Sequence, residues 1–432
     1  MTTIKTAFQT HQQEVTRLFS HVQVEGNKLT HQPGSVLGST ALVAGTTVGA
    51  GILALPAVTL PSGVIPSTVL LIAVWLYTLV SGLLIAEVNV NTMRSAGRPS
   101  VGLMAMIENT LGTTGAGIAG VAYMLQHYAL LVAYVTQGGE ILMSAISHLW
   151  GGENYLPSWV GTAAFTLLFG SIMYLGREKF IEKLNNFLVG IVIVSFLGLF
   201  LLGVTQVQGV HFLFQNWSAL GTAVPVMLVA LFYHNVVPVV VTQLEGDSRK
   251  VRQSIIVGSA IPLVMFLAWN AVILGSVSPE TIHSTTIFDP IQVLRAGGGG
   301  ELLGVLVSIF SEFAIATSFI GFVYGLLDFF QDIFAKTQTK PTSRLPLYSL
   351  VLLPPLGLGA INPSIFFTAL DFAGTFSISI LGGIIPALAT WKQRQQLQHT
   401  NQFVPGGKLT LILMIGIAVV MILKEILAMA KL

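Results

Sequence analysis

Gly45-Thr46-Thr47-Val48-Gly49-Ala50-Gly51 lies in the middle of an apolar run that extends from Ser35 to Leu60. The run is long enough to cross a bilayer, which takes about 20 apolar residues. Its centre nevertheless holds three glycines and two threonines, residue types that hold a helix poorly. In hydrocarbon, backbone N–H and C=O groups released by unwinding are tolerated only where they line a cavity within the protein. A membrane span that breaks at mid-depth therefore predicts a binding site made from backbone groups.

The rest of the chain has the matching composition. Of 432 residues, 53% are hydrophobic and 9% charged, and the mean hydropathy is +0.78. Soluble domains carry about 25% charged residues, so the chain reads as an all-α integral membrane protein held in a lipid bilayer. A net charge of +2, with no basic stripe interleaved with aromatics, gives no footing for a nucleic-acid partner. There is no cysteine, which removes disulfides, thiolate chemistry and Cys-ligated metals. Residues 1–33 are polar and the first apolar run is too long for a signal-peptide core, so no cleavable leader is expected.

Eleven spans are predicted, at 35–60, 64–90, 115–147, 159–175, 186–205, 221–243, 253–276, 302–330, 345–361, 364–390 and 408–430. The expected organisation is a cytosolic tail (1–33) and a core (34–406), followed by an eleventh helix (407–432). The core places helices one to five at 35–205 and six to ten at 221–390. In the tail, Phe8, Val15, Leu18, Phe19 and Val22 recur partly at helical spacing, which reads either as an interfacial amphipathic helix or as a mobile segment. Residues 91–112 carry apolar positions suited to a helix at the cytosolic face, and 277–301 form an outer loop ending in four glycines. With the N-terminus inside, all basic residues except Arg295, Lys424 and Lys431 fall on the cytosolic side or at its edge. That asymmetry supports both the span count and a cytoplasmic N-terminus with the C-terminus outside.

A second interruption is predicted in the sixth span, Pro225-Val226-Met227-Leu228-Val229-Ala230-Leu231-Phe232-Tyr233-His234-Asn235-Val236-Val237-Pro238. Pro238 removes a backbone donor, and Tyr233-His234-Asn235 places polar side chains at the same depth. Interrupted helices at matching positions of inverted repeats are the mark of secondary transporters. Two repeats of five spans pair the first span with the sixth, and an odd count inverts the second copy. The half-helix starting near Ala50 would then point its positive end at a carboxylate, while carbonyls near Phe232–His234 accept from an ammonium. A zwitterion such as an amino acid fits between them.

On these residues the chain resembles the aromatic (tyrosine/tryptophan) amino acid permeases, within the amino acid–polyamine–organocation superfamily. Gly45–Pro56 carries the resemblance, with Tyr233-His234 to Pro238, the following Glu245-Gly246-Asp247, and Ala314–Asp332 containing Ala316-Thr317-Ser318-Phe319-Ile320-Gly321. It extends from about residue 34 to the C-terminus. The resemblance implies a leucine-transporter-type fold of 5+5 inverted repeats with broken helices 1 and 6 and one peripheral helix. It also implies import of tyrosine or tryptophan across the plasma (bacterial inner) membrane by proton symport. One departure is Asn235-Val236, where the family has Gly-Asn after the histidine, which stiffens the break. The wider superfamily's sodium-coupled members hold an ion between first-span carbonyls and eighth-span hydroxyls. Gly45 and Val48 with Ala314, Thr317 and Ser318 occur at that spacing, so Na+ stands beside H+ as the coupling ion. A sodium-coupled carrier of small neutral amino acids is accordingly the alternative reading.

The expected substrate residues are Gly45, Thr46, Thr47, Gly49, Ala50, Gly51, Tyr128, Phe232, Tyr233 and His234; against them stand close helix packing for the glycines and ordinary core packing for the rings. Glu312 and Asp371 are each either the coupling carboxylate or a structurally paired group. Glu87, Asp328 and Asp332, near cytosolic ends, are expected to be explained by salt bridges or snorkelling rather than by a functional role. Phe319 is a further pocket-lining candidate. No metalloprotease His-Glu pattern, nucleophile elbow or nucleotide-binding loop is present, so neither an enzyme nor an ATP-driven pump is expected, and no organic cofactor.

Overall fold

A computed structural model describes residues 17–20, 22–25, 28–31, 34–49, 51–150, 156–276, 300–337, 344–362, 364–397 and 402–430. Ten of its helices are long and apolar enough to cross a membrane, and the bent pair Val36–Thr47 and Gly51–Thr59, turned 51° at its break, makes an eleventh. After that first span come Val64–Ala96, Leu103–Trp150, Ser158–Leu175 and Glu178–Val204. The sixth span is Val224–Ala230 followed by Val237–Gln243, and the seventh is Ser248–Ser276. The eighth, ninth and eleventh are Gly300–Thr337, Arg344–Ile361 and Gly407–Met429. The tenth is composite, Phe366–Phe372, Ala373–Ile384 and Ile385–Gln396.

Several ends differ from the sequence reading. Residues 91–96 continue the second span, and the helix expected at the cytosolic face is confined to the stretch from Leu103 to a kink at Gly112, whose φ of 80° breaks the ladder within the third helix. The fifth span begins at Glu178 and so includes Lys179 and Lys183 at its end, both exposed. The outer loop at 277–299 lies outside the described residues, as do Phe8 and Val15. Among the described residues of the tail, 17–20 are irregular and two short strands follow. Val22–Glu25 pairs antiparallel with Lys28–His31, Val22 opposite His31 and Glu25 opposite Lys28. Ahead of it, the Leu18 N–H donates to the Glu245 carbonyl at 2.9 Å, just after the sixth span.

Lipid tails are as apolar as leucine, so helices gain little by hiding apolar surface from them and associate through packing and hydrogen bonds. Phe187, Val194 and Leu201, seven residues apart on the fifth span, accordingly stay exposed on one stripe. Polar side chains bolt the interior together. The Thr59 hydroxyl donates to Asn270 Oδ1 at 2.7 Å, and Asn270 Nδ2 donates to Ser67 Oγ at 3.0 Å, tying the first, second and seventh spans. Glu87, fully buried in the C-terminal half of the second span, takes a two-pronged contact from Arg394 at 2.6 and 2.7 Å and the Phe403 N–H at 2.8 Å. This is the structural pairing expected of Glu87.

Candidate functional site

The first span ends its helix at Thr47, and Val48 is extended, with φ −79° and ψ 102°. Thr46 and Thr47 donate back to Leu42 and Val43 carbonyls at 2.7 and 2.8 Å, so their hydroxyl protons are used within their own helix. Gly49 and Gly51 are buried. A Cβ at Gly49 would lie 2.5 Å from Ser318 Oγ, and one at Gly51 would lie 2.6 Å from the Ala230 Cα. At Gly51 a side chain would run into the Ala230 backbone, and at Gly49 it would have to push the Ser318 hydroxyl aside, so glycine suits both positions. Gly45 is exposed with open space around it. Ala50 lies outside the described residues. The Ile52 N–H donates to the Gly49 carbonyl at 3.1 Å and opens the second half-helix, whose first-turn N–H groups have few carbonyls ahead of them to bond.

The sixth span breaks differently. Val224–Ala230 closes at Leu231, a 3-10 turn covers His234–Val236, and Pro238 sits in the first turn of Val237–Gln243, where a proline's missing N–H costs nothing. Phe232, Tyr233 and His234 are all buried. The Phe232 and His234 rings stack with centroids 4.5 Å apart and planes at 17°. Tyr233 donates its hydroxyl to the Thr78 carbonyl at 3.3 Å, which anchors it to the second span. His234 is 1% exposed, yet neither ring nitrogen has a partner among the described residues.

The two breaks lie side by side. Val36–Thr47 packs against Val237–Gln243 and the His234–Val236 turn, whereas Gly51–Thr59 packs against Val224–Ala230. First half meets second half in both cases, so the interrupted spans run antiparallel. The Gly34 N–H donating to the Gln243 carbonyl at 3.1 Å ties the start of the first span to the end of the sixth.

The eighth span supplies a third side. Thr317 and Ser318 both donate to the Ala314 carbonyl, at 3.0 and 2.9 Å, which gathers three oxygens on one face. Ser318 also meets Tyr134 of the third span. Glu312, two residues before Ala314, is half-buried, and its Oε2 has no partner among the described residues.

Other candidates are placed elsewhere. Tyr128 donates to the Leu350 carbonyl of the ninth span at 2.7 Å and its ring faces Phe330. Phe319 turns to the fourth span, edge-on to Phe165 at 5.4 Å. Asp371 has Lys424 and Glu425 of the eleventh span as its charged neighbours. The sequence reading missed the tenth span's contribution. Ala373–Ile384 is a π-helix, with Ser377 and Ser379 buried and their hydroxyls unpartnered among the described residues. It also gave no role to Gln126, fully buried with both amide atoms unpartnered there. A glutamine in an apolar span was signal enough for Gln126; the π-helix holds Gly374, Gly382 and Gly383, but with 44 glycines in the chain these did not single it out.

Eleven apolar spans around two antiparallel interruptions define a multi-pass membrane protein whose polar groups converge at its core. The profile of the Tryptophan/tyrosine permease family matches residues 32–425, and the chain belongs to that family. It is thus a permease rather than an enzyme. Tyrosine-specific transport system 1 of Haemophilus influenzae is 29% identical over 395 residues, covering 89% of this chain and 94% of that protein. Tyrosine-specific transport system 2 of the same organism is 29% identical, covering 89% and 95%. Its Tryptophan-specific transport protein is 28% identical, covering 86% and 91%.

Proposed function

We propose that the protein is an ion-coupled importer of tyrosine or tryptophan that works by alternating access in a leucine-transporter-type fold of two inverted five-span repeats. The observation that carries this reading is the antiparallel adjacency of the two broken spans. At the first break, bare backbone at Gly49 and the N-terminal pole of Gly51–Thr59 hold the substrate carboxylate. Carbonyls freed beside Phe232 accept from the ammonium, and the Phe232–His234 stack offers an aromatic face to the side chain. The substrates named for the relatives support an aromatic side chain. The N-terminus lies in the cytoplasm and the C-terminus outside, in the plasma membrane.

The coupling ion is a proton in this reading, and Glu312 is the carboxylate placed to carry it. A second reading has an observation of its own: the oxygens of Ala314, Thr317 and Ser318 share one face beside Gly49, a hard-oxygen set suited to Na+. Uptake of labelled tyrosine and tryptophan into proteoliposomes, under a proton or a sodium gradient imposed separately, tests both. Accumulation on the proton gradient alone is expected. Accumulation only with sodium moves coupling to the Ala314–Ser318 face. No aromatic uptake under either gradient overturns the substrate assignment.

A further inference from the structure

The tenth span winds as a π-helix for twelve residues, Ala373–Ile384. Such segments are rare, are mostly single turns, and occur frequently at functional sites. This one packs against Val224–Ala230 and the third span. It also brings buried Gly382 opposite the sixth-span break. A Cβ at Gly382 would lie 3.5 Å from Phe232 Cε2 and 3.7 Å from His234 Nε2.

A hydrogen-bond partner stands about 2.9 Å from a ring nitrogen. A methyl there would fill the space beside Nε2, in ordinary contact with Phe232, Ile378 and the ring nitrogen, and glycine keeps that much room free. Phe232 already covers a face of the imidazole, so the edge bearing the nitrogens is what remains for a ligand. That edge is buried and unbonded among the described residues, a state buried polar atoms rarely keep when a site is filled.

The geometry points to Gly382 and His234 Nε2 as the subsite for the polar atom of the substrate's side chain, a neutral phenol O–H or indole N–H. This rests on the reading of the chain as an aromatic amino acid carrier. A neutral imidazole offers one acceptor nitrogen; phenol and indole both donate to it, and a plain phenyl ring leaves it unpaired. Gly382 thus separates tyrosine and tryptophan from phenylalanine, which shares their shape but not the donor.

The test uses the full chain in proteoliposomes and compares tyrosine with phenylalanine in wild type and in Gly382→Ala. The added methyl makes only ordinary contacts, so folding is expected to survive and is checked by melting temperature. Wild type should favour tyrosine about tenfold in KM, the worth of one net hydrogen bond, and Gly382→Ala should bring the ratio to within about twofold. An unchanged ratio overturns the subsite. So does an equal loss for both substrates, which assigns the space to water. Wild type that carries neither amino acid removes the proposed function itself, and the subsite with it. Because the chain has no cysteine, Gly382→Cys gives an independent readout with methyl methanethiosulfonate. Labelling slowed by saturating tyrosine supports the subsite, and labelling indifferent to tyrosine overturns it.

Discussion

At the first-span break no side chain stands at the closest approaches: Gly49 meets Ser318 and Gly51 meets Ala230 through bare backbone. At the sixth-span break three rings follow one another, Phe232, Tyr233 and His234, all buried. An amino acid has a constant end and a variable end. Backbone N–H groups suit the constant carboxylate, whatever the substrate, while side chains suit the part that differs. In the proposed carrier, the contrast would put affinity and selectivity on different spans, where each can be damaged separately.

The strongest way to break this division is Gly49→Leu. Its side chain must displace Ser318, so uptake and binding of every amino acid should fall to background, measured by equilibrium binding on protein that still elutes as a single species. Binding that survives would remove the first break from the site. Next is His234→Phe, which keeps a ring against Phe232 but loses both nitrogens. Tyrosine transport should fall about tenfold while phenylalanine changes little, one hydrogen bond's worth; a uniform loss would make His234 a packing residue. Thr317→Ala removes one of the oxygens near the first break. Any sodium stimulation should drop about threefold, and an unaltered sodium response leaves coupling with protons. The smallest effect belongs to Tyr128→Phe, which loses only the bond to Leu350. KM should stay within about twofold, with at most roughly 1 kcal/mol of stability lost; a tenfold rise in KM would bring Tyr128 back into the site.

What could be read in advance follows from where the physics is local. Span number was legible because bilayer thickness dictates a length that sequence displays directly. The first break was legible because Gly45, Gly49 and Gly51 interrupt an apolar run. In the sixth, Pro238 was noticed, but it starts the second half-helix instead of ending the first. The hairpin was missed although Val22-Gln23-Val24-Glu25 and Lys28-Leu29-Thr30-His31 alternate and flank Gly26-Asn27, a pair favoured in tight turns. Of the residues noted in the tail for helical spacing, Leu18 and Phe19 lie in irregular backbone and Val22 starts a strand, while Phe8 and Val15 lie outside the described residues. The partners of Tyr128 and Phe319 depend on which spans neighbour the third and eighth, information that no single span contains. The π-helix is the extreme case: Ala373–Ile384 reads as part of an ordinary apolar span.

The bond between Glu87 and Arg394 joins residues 307 positions apart. A ribosome working at about 5–20 residues per second needs roughly 15–60 s to deliver the second after the first. Throughout that interval the Glu87 carboxylate lacks the guanidinium with which it pairs in the folded chain. The nascent protein is therefore open at one seam until its tenth span arrives, and a chain truncated before Arg394 can never close it.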